Sequence, residues 1–388
     1  MNSVSVASLN RTFPFLDIIV TARPSWARVK TILTSYVEIA GVDRVRLSLV
    51  GPAVSAKYGD ITGLVPENIV TISHPTLRDS DDLSSVALTC LDGAQALVHQ
   101  WSQFRPDCAL VVADRSETLG VSAAAALMQI PLIHLQGGET SGSIDDKIRD
   151  VNSKLADLHL TTNTTTEKYL RSLGESPESI FVVGCPSIDL VQKVMSEPLP
   201  KLDNLGGVGA SIDFGSTYGI IMFHPDTLEL NQSKFWLKTL IDVVQTSELP
   251  WVWFWPNPDH GTNLTTKLIR TAREEGQLKN VRFLINTSPE NFIALAIKSA
   301  IIIGNSSFGI REASFIGLPA LNLGTRQNGR EKSLNVTDLK DINASLLLRE
   351  IKNKILVRYS SSHIYGNGNA GKLSAKIISE WNPKVKSK

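Results

Sequence analysis

Short apolar runs alternate with amphipathic stretches along the first half of the chain. The runs have the length of β-strands, and the stretches between them have the spacing of apolar residues that is typical of helices. This alternation predicts βα units and a parallel sheet. The strand candidates of this half are residues 16–20, 108–112, 131–135, 158–162 and 180–184.

A second series of strand candidates follows, at residues 218–225, 251–259, 281–286, 300–307 and 320–324. Residues 196–217, between the two series, are rich in Pro, Gly and Ser and lack apolar periodicity, which indicates a connection between domains. A chain of 388 residues also exceeds the usual size of one hydrophobic core. We therefore expect two α/β domains, residues 1–195 and 218–365, with a ligand cleft between them.

The composition is that of a globular protein with little net charge. Hydrophobic residues make up 42% of the chain, charged residues make up 20%, and the formal net charge is +1, which disfavours nucleic-acid binding. Cys90, Cys108 and Cys185 are widely spaced, so neither a disulfide framework nor a metal site is predicted. We find no signal-peptide pattern and no run of the roughly 18 apolar residues that a membrane helix needs. We expect a cytoplasmic protein without membrane contact, cofactor or metal.

Acidic and amide side chains follow two neighbouring strand candidates of the first series. Asp114 comes after one of them, and Gln136 and Glu139 come after the next, with Asp145 a few residues further on. Because open α/β sheets bind ligands beyond the carboxyl ends of their strands, we expect these four side chains to face one crevice. Paired carboxylates there can exchange protons when burial separates their pKa values.

A structural interpretation of the same acids is also open. In it, Asp114 pairs with Arg115 or Arg149, while Glu139 and Asp145 only cap the following helix. Both interpretations place the side chains at the same sheet edge, and they differ only in what the carboxylates contact.

The first strand candidate runs into a turn that contains Arg23 and Pro24. Proline suits the first position of a helix because the N–H that it lacks has no partner there. The free amides of that helix start, together with the Arg23 guanidinium, predict an anion site. The alternative is a solvated Arg23 in an ordinary turn.

The second half of the chain supplies further ligand candidates just past its strand candidates. They are His224, Asn257, Ser306, Ser307, Glu312, Arg326 and Arg330. The Gly/Asn/Ser loop before Glu312 can hold a diphosphate through its backbone, and that carboxylate can accept hydrogen bonds from ribose hydroxyls. The structural alternatives are serines that cap a helix, an acid that complements the helix dipole, a hydrogen-bonded histidine and solvated arginines.

Seven blocks in a fixed order give the chain a family resemblance. They are ADRSE, HLQGGETSGSIDDKIR, SKLADLHLTT, IFVVGCPSID, FHPDT, PNPDHGTN and GNSSFGIREASFIGLPALNLG. With TARPS near the start and TRQNGR further on, the chain resembles the hydrolysing UDP-N-acetylglucosamine 2-epimerases of sialic-acid pathways over nearly its whole length. The order of the blocks carries the resemblance more than any single block does.

The resemblance implies a glycosyltransferase-B-type fold, in which two Rossmann-like domains flank a cleft and residues 366–388 return as a helix to the N-terminal domain. It implies that Arg23, Ser306, Ser307 and Glu312 hold UDP, with His224 near the diphosphate. It further implies that Asn257 lies near the sugar and that Asp114 and Asp145 are acid–base residues. Relatives often form dimers or tetramers, so a homo-oligomer is expected.

One departure from the family concerns the position of Gln136. Many hydrolysing members carry HIEGGE, in which the first glutamate is catalytic, and a carboxamide cannot serve as a general base near neutral pH. Either Asp114, Glu139 or Asp145 then takes the role, or the reaction differs. A second departure is Asp150, where relatives commonly have histidine.

The leading functional expectation is a hydrolysing epimerase that converts a UDP-N-acetylhexosamine, foremost UDP-N-acetylglucosamine, to free N-acetylmannosamine and UDP through a glycal. One alternative, motivated by Gln136 and Asp150, is a member that acts on a different nucleotide sugar, such as a 2,4-diacetamido hexose. Another is a protein that binds a UDP-sugar without turnover.

Overall fold

A computed structural model of the chain describes residues 13–141, 144–202, 205–226, 230–256, 260–285 and 287–382. The strands of the first half are β1 (Leu16–Val20), β2 (Val45–Val50), β3 (Thr71–His74), β4 (Cys108–Val112), β5 (Leu132–Leu135), β6 (Leu158–Thr161) and β7 (Ile180–Val182). Those of the second half are β8 (Val208–Gly209), β9 (Gly219–Met222), β10 (Trp251–Phe254), β11 (Val281–Leu284), β12 (Ile301–Gly304), β13 (Ala320–Leu323) and β14 (Val336–Leu339).

Helices follow most of these strands. Those of the first half are α1 (Arg23–Ala40), α2 (Leu83–Gln103), α3 (Ser116–Leu127), α4 (Ile144–Leu155), α5 (Thr164–Ser172) and α6 (Pro186–Ser196). Those of the second half are α7 (Leu230–Thr246), α8 (Thr262–Glu274), α9 (Pro289–Lys298), α10 (Glu312–Ile316), α11 (Ala344–Lys354) and α12 (Ala370–Glu380).

The first sheet is parallel throughout and has seven strands in the order β3-β2-β1-β4-β5-β6-β7. Every residue of β1 and of β4 is buried, which is why these strands read as continuous apolar runs rather than as alternating patterns. The strand order reverses between β1 and β4. Ligand sites of open α/β sheets lie at such a reversal, beyond the carboxyl ends of the strands.

The second sheet repeats this plan, in the order β14-β13-β12-β9-β10-β11-β8. Its strands are parallel except for β8, which pairs antiparallel with β11, and the order reverses between β9 and β12. The predicted α/β fold with two Rossmann-like halves is confirmed. Four strands were not predicted: β2 and β3 form one side of the first sheet, β8 has only two residues in a glycine-rich segment, and β14 is a partly exposed edge strand.

The chain crosses between the two halves twice, and the helices beside the crossings tie the halves together. Helix α6 packs against α1 and also against α9 and α10, and its Ile188 and Val191 belong to the core of the second sheet. Helix α12 packs along α1, and its Ala375 and Ile378 belong to the core of the first sheet. The last helix therefore returns to the half in which the chain starts.

Two glycines lie back to back where the crossings meet. Gly184 and Gly366 have φ angles of 92° and 113°, and a Cβ on Gly184 would lie 3.1 Å from the Cα of Gly366. Next to them, the backbone N–H of Cys185 donates to the carbonyl of Tyr365 at 2.7 Å. The positive φ angles and the close approach both require glycine.

Candidate active site

A cavity of about 400 Å³ lies between the two sheets. It opens at the reversal points of both sheets, since residues that follow β1 and β4 line one wall and residues that follow β9 and β12 line the other. The predicted residues in its lining are Arg23, Asp114, Asp145, His224, Ser306, Ser307, Glu312, Arg326 and Arg330. The sheet topology thus brings together side chains from distant parts of the sequence.

Asp114 reaches the cavity through a tight turn after β4. Ala113 has a φ of 58°, a left-handed conformation that is unfavourable for a residue with a Cβ. The Asp114 carboxylate forms an ion pair with the buried Arg149 and lies 4.0 Å from a guanidinium nitrogen of Arg330. Of the two predicted partners, Arg149 is therefore the one that pairs, because Arg115 contacts Glu117 instead. Asp114 therefore both pairs with Arg149, as the structural interpretation expects, and lines the cavity, as the catalytic interpretation expects.

Asp145 lies in the first turn of α4 and lines the cavity, with one oxygen 3.9 Å from a nitrogen of Arg326. The next residue, Asp146, is hydrogen-bonded to Ser141. Its Oδ1 accepts hydrogen bonds from the backbone N and the Oγ of Ser141, at 2.7 and 2.6 Å. These bonds connect the start of α4 to Ser141, and Asp145 lies beside them in the cavity wall.

Gln136 lies beneath the cavity and is not among the described residues of its lining. Its side chain is fully buried, and its Nε2 donates to the Sγ of Cys185 at 3.0 Å. Like Ala113, it follows a strand with a left-handed backbone, at a φ of 66°. This turn directs the Gln136 side chain into the protein rather than toward a ligand.

Glu139 is also beneath the cavity, held by two arginines of the other half. Its two oxygens each lie 3.1 Å from Nη1 of Arg311, and its Oε2 accepts from Nε of Arg330 at 2.9 Å. Burial would raise the pKa of Glu139, but the charges of Arg311 and Arg330 outweigh it and lower the pKa to about 2. This carboxylate is ionised and doubly paired near neutral pH.

The opposite wall is built on neighbouring strands β9 and β12. Asn305 joins the loops after them: its Oδ1 accepts from the backbone N of His224, and its Nδ2 donates to the His224 carbonyl, both at 2.8 Å. The Nε2 of Gln327 donates to the Asn305 carbonyl at 2.9 Å. These bonds fix the position of His224 and attach the loop after β13 to the same wall.

Both serines of the loop after β12 line the cavity and also have structural partners. The Oγ of Ser306 accepts from the backbone N of Phe308 at 3.3 Å, so the capping interpretation holds for it. The Oγ of Ser307 accepts from Nη2 of Arg311 at 2.8 Å. Glu312 begins α10 and is buried, and its Oε2 has no hydrogen-bond partner among the described residues.

Sequence reasoning missed Arg28, which lines the cavity from α1. Burial and the nearby charge of Arg311 lower the pKa of Arg28 to about 10, so it stays charged at neutral pH. No hydrogen-bond acceptor for its guanidinium is found within the described part of the chain. Its position in the sequence could have suggested this, because Arg28 lies five residues after Arg23 on the same helix, about one and a half turns away.

The cavity also has an aliphatic side that was not predicted. Leu83 and Val86 of α2 and Ile144 and Ile148 of α4 line it, on the half of the molecule that carries Asp114. Apolar groups of a ligand would find favourable contacts there, whereas a hydroxyl would lack a partner.

Two further sequence predictions have different outcomes. Asn257 lies outside the described residues. Asp150 does not belong to the described cavity lining, and its Oδ2 accepts from the Tyr169 hydroxyl at 3.0 Å. Across the ranges that the structure describes, no cluster of His, Cys, Asp and Glu is arranged to hold a metal ion, and no helix is long and apolar enough to cross a membrane.

Comparison with known proteins gives a family and a fold. Residues 63–379 match the family model described as UDP-N-acetylglucosamine 2-epimerase. A UDP-N,N'-diacetylbacillosamine 2-epimerase (hydrolyzing) from Legionella pneumophila is 28% identical over 327 residues, which cover 84% of this chain and 82% of that protein. A GDP/UDP-N,N'-diacetylbacillosamine 2-epimerase (hydrolyzing) from Campylobacter jejuni is 29% identical, with 69% of each chain covered.

Among solved structures, the UDP-GlcNAc 2-epimerase of Methanocaldococcus jannaschii in complex with UDP-GlcNAc and UDP has a TM-score of 0.76. The match covers 94% of this chain and 99% of that chain, at 14% identity. A second structure, the UDP-GlcNAc 2-epimerase from Neisseria meningitidis bound to UDP-GlcNAc, has a TM-score of 0.73 at 16% identity. That match covers 94% of this chain and 99% of that chain. These similarities confirm the glycosyltransferase-B-type architecture.

Proposed function

The chain belongs to the UDP-N-acetylglucosamine 2-epimerase family, and we propose that it is a hydrolysing member, which converts a UDP-linked 2-acetamido sugar to the free 2-epimer and UDP. The observation that carries the proposal is the composition of the cavity walls. The wall from the first sheet presents Asp114 and Asp145, and the wall from the second sheet presents His224, Arg326 and Arg330. Carboxylates suited to proton transfer therefore face cations suited to a leaving diphosphate.

The proposed reaction has two steps. In the first, a carboxylate takes the C2 proton while the C1–O bond to UDP breaks, so a C1=C2 double bond forms and UDP leaves with the bonding electrons. In the second, water adds to the glycal: its OH goes to C1, and a proton goes to the opposite face of C2. We assign the two C2 proton transfers to Asp114 and Asp145, because both line the cavity.

The nucleotide is assigned to the part of the cavity that is lined by Arg23 and Arg28 from the first half and by His224 from the second half. The two guanidinium groups and the imidazole meet the diphosphate, and Ser306 and Ser307 add hydroxyls near it. Arginine suits this task because its planar group of donors matches phosphate oxygens. The Oε2 of the buried Glu312, which has no hydrogen-bond partner among the described residues, accepts from the ribose hydroxyls.

UDP-N,N'-diacetylbacillosamine is our first candidate substrate, and UDP-N-acetylglucosamine is the second. Two relatives named for the former are 28% and 29% identical to this chain. The aliphatic side formed by Leu83, Val86, Ile144 and Ile148 suits a methyl or acetamido group. A sugar hydroxyl without a partner there would cost about 1–3 kcal/mol.

A panel of UDP-sugars tests the proposal. The protein is incubated with the two candidate sugars, and UDP and free sugar are measured separately. We expect both products in equal amounts, with a higher kcat/KM for the diacetamido sugar. A UDP-linked epimer without released UDP would instead indicate a non-hydrolysing enzyme, and UDP binding without turnover would indicate a binding protein.

We also propose that the division of chemistry follows the division of the chain. Residues 1–195 would supply the proton-transfer groups, residues 218–365 would bind most of the nucleotide, and residues 196–217 would link them. The helix α12 then closes the first half by packing along α1.

A further inference from the structure

Glu139 holds both guanidinium groups that lie beside Asp114. Its backbone carbonyl accepts from Nη1 of Arg149 at 2.5 Å, and Arg149 forms the ion pair with Asp114. Its carboxylate accepts from Nε of Arg330 at 2.9 Å, and Arg330 lies 4.0 Å from Asp114. Asp146 and Gln327 hold the same two arginines, since the Oδ1 of Asp146 accepts from Nη1 of Arg149 at 2.6 Å and the Oε1 of Gln327 accepts from Nη1 of Arg330. Glu139 contacts both arginines from outside the described cavity lining.

The same carboxylate is connected through Arg311 to the serine loop after β12, which is part of the proposed nucleotide site. This arginine is almost fully buried and contacts both Glu139 oxygens at 3.1 Å, while its Nη2 donates to Ser307 at 2.8 Å. Glu139 thus lies between the serine loop of the second half and the proton-transfer residue of the first half.

The two arginines that the Glu139 carboxylate holds come from the opposite half of the molecule. The adjacent Thr140 also crosses the gap, since its Oγ1 donates to the Gly329 carbonyl at 2.9 Å. If the halves separate about the crossings at Gly184 and Gly366, Glu139 loses Arg311 and Arg330, and Asp114 keeps only Arg149.

We propose that Glu139 is a positioning residue that couples the approach of the two halves to the arrangement of charges around Asp114. It takes no proton from the substrate, and it acts by holding Arg330 beside Asp114 and Arg311 beside Ser307. The expected effect on kcat rests on the proposed function. The coupling between the halves does not, because its contacts are present in the protein without ligand.

A double-mutant cycle tests the kinetic part. We expect Glu139→Gln to lower kcat by about 10²-fold, the loss expected when reacting groups are displaced by about 1 Å, while KM changes far less. Arg330→Gln should lower kcat at least as much, because Arg330 also meets the leaving diphosphate, and the double variant should lose little more than Arg330→Gln alone, because Glu139 acts through Arg330. Independent losses that multiply in the double variant, or an unchanged kcat in Glu139→Gln, would overturn the proposal.

Glu331→Gln is the matched control. The Glu331 carboxylate also bridges the halves, since its Oε2 accepts from Asn163 and Thr165 at 3.2 and 3.1 Å, but it is exposed and outside the described cavity lining. The control should keep the wild-type kcat. Thermal unfolding checks that each variant is folded. If Glu139→Gln proves unstable, Arg330→Gln still tests the contact beside Asp114, because it leaves the Glu139–Arg311 pair in place.

Small-angle scattering of the ligand-free proteins tests the coupling without any turnover. We expect a larger radius of gyration for Glu139→Gln than for wild type and for Glu331→Gln. An unchanged radius would refute the coupling even if the kinetics were affected. If wild type turns over no UDP-sugar, the proposed function fails, whereas an expanded Glu139→Gln would still support the coupling.

Discussion

The acidic and amide residues at the edge of the first sheet lie in two layers that face different surroundings. Asp114 and Asp145 line the cavity, whereas Gln136 and Glu139 are buried beneath it. The backbone explains the second layer. Gly137 is enclosed by His134 and Ser153 side chains, and a Cβ on Gly138 would lie 2.4 Å from the Thr166 carbonyl oxygen, so the segment after β5 runs through the protein interior.

The two layers show that the position of a carboxylate decides its chemistry more than its place in a motif does. A carboxylate in a cavity wall can meet a substrate C–H, and its proton affinity can respond to the ligand. Glu139 is buried between two arginines outside the described cavity lining and stays ionised, whereas Asp114, although it pairs with Arg149, lies in the cavity wall where a ligand can reach it. We therefore assign proton transfer to the outer layer and organisation to the inner layer.

The largest effect is expected from Asp114→Asn. An amide cannot accept the C2 proton, so kcat should fall by about 10³-fold, within the usual range for an acid–base group, while the Kd for UDP changes little. Steady-state kinetics and calorimetry measure the two quantities. Asp150→Asn is the control, because Asp150 contacts Tyr169 rather than the cavity. Full activity in Asp114→Asn would remove Asp114 from the mechanism.

The ionised Glu139 should make stability depend on pH. Its pKa is lowered to about 2 in the folded state, so its contribution is complete above its unfolded pKa and is lost as the pH falls toward 2. From an unfolded pKa of about 4.3, the shift corresponds to about 3 kcal/mol. Urea unfolding measures this between about pH 5 and about pH 2. The free energy of unfolding of wild type should fall across this range, and that of Glu139→Gln should fall much less. Parallel pH dependence in the two proteins would contradict the ion pairs.

A smaller effect is expected from Arg28→Gln. A hydrogen bond to a charged group contributes about 1.5–3 kcal/mol, so the Kd for UDP should rise roughly 10- to 100-fold. Calorimetry measures it. Lys30→Gln is the control on the same helix, because Lys30 pairs with Glu290 at 2.5 Å and is absent from the described lining. Equal losses in both variants would indicate a general charge effect rather than a contact.

The smallest effect is expected from Gln136→Met. This change keeps the approximate volume and removes only the bond to Cys185. Because the inner layer does not transfer protons in this account, kcat should stay within about threefold of wild type, as for other conservative core changes. Single-turnover kinetics check the chemical step directly. A loss comparable to that of Asp114→Asn would place Gln136 in the chemistry.

Much of the fold could be predicted from the sequence because its strands are continuous apolar runs. The predicted and observed positions of β1 and β4 coincide, and the strand β5 begins one residue later than predicted. The edge strands β3, β8 and β14 could not be predicted because pairing with neighbours, rather than an apolar pattern, defines them. The buried strand β2 was missed because Arg46 and Ser48 interrupt its apolar run. Edge strands depend on tertiary contacts that no local pattern reports.

The sequence predicts which residues follow each strand at the site, but it does not predict where their side chains point. Asp114 and Gln136 both follow strands of one sheet, and the sequence gives no sign that one faces the cavity and the other faces Cys185. The cross-half partners of Glu139, Arg311 and Arg330, are 172 and 191 residues away along the chain. Such pairings result from the packing of the two sheets against each other, so neither the periodicity of apolar residues nor the spacing of motifs can predict them.

Solvent-proton incorporation at C2 tests the proposed mechanism most directly. The protein is incubated in deuterated water with whichever UDP-sugar it turns over, and the free sugar is examined by NMR. We predict an epimerised sugar with deuterium at C2, formed together with UDP, and almost no such product from Asp114→Asn. A free sugar that keeps its original hydrogen at C2 would contradict removal of the C2 proton, and with it the roles proposed for Asp114 and Asp145.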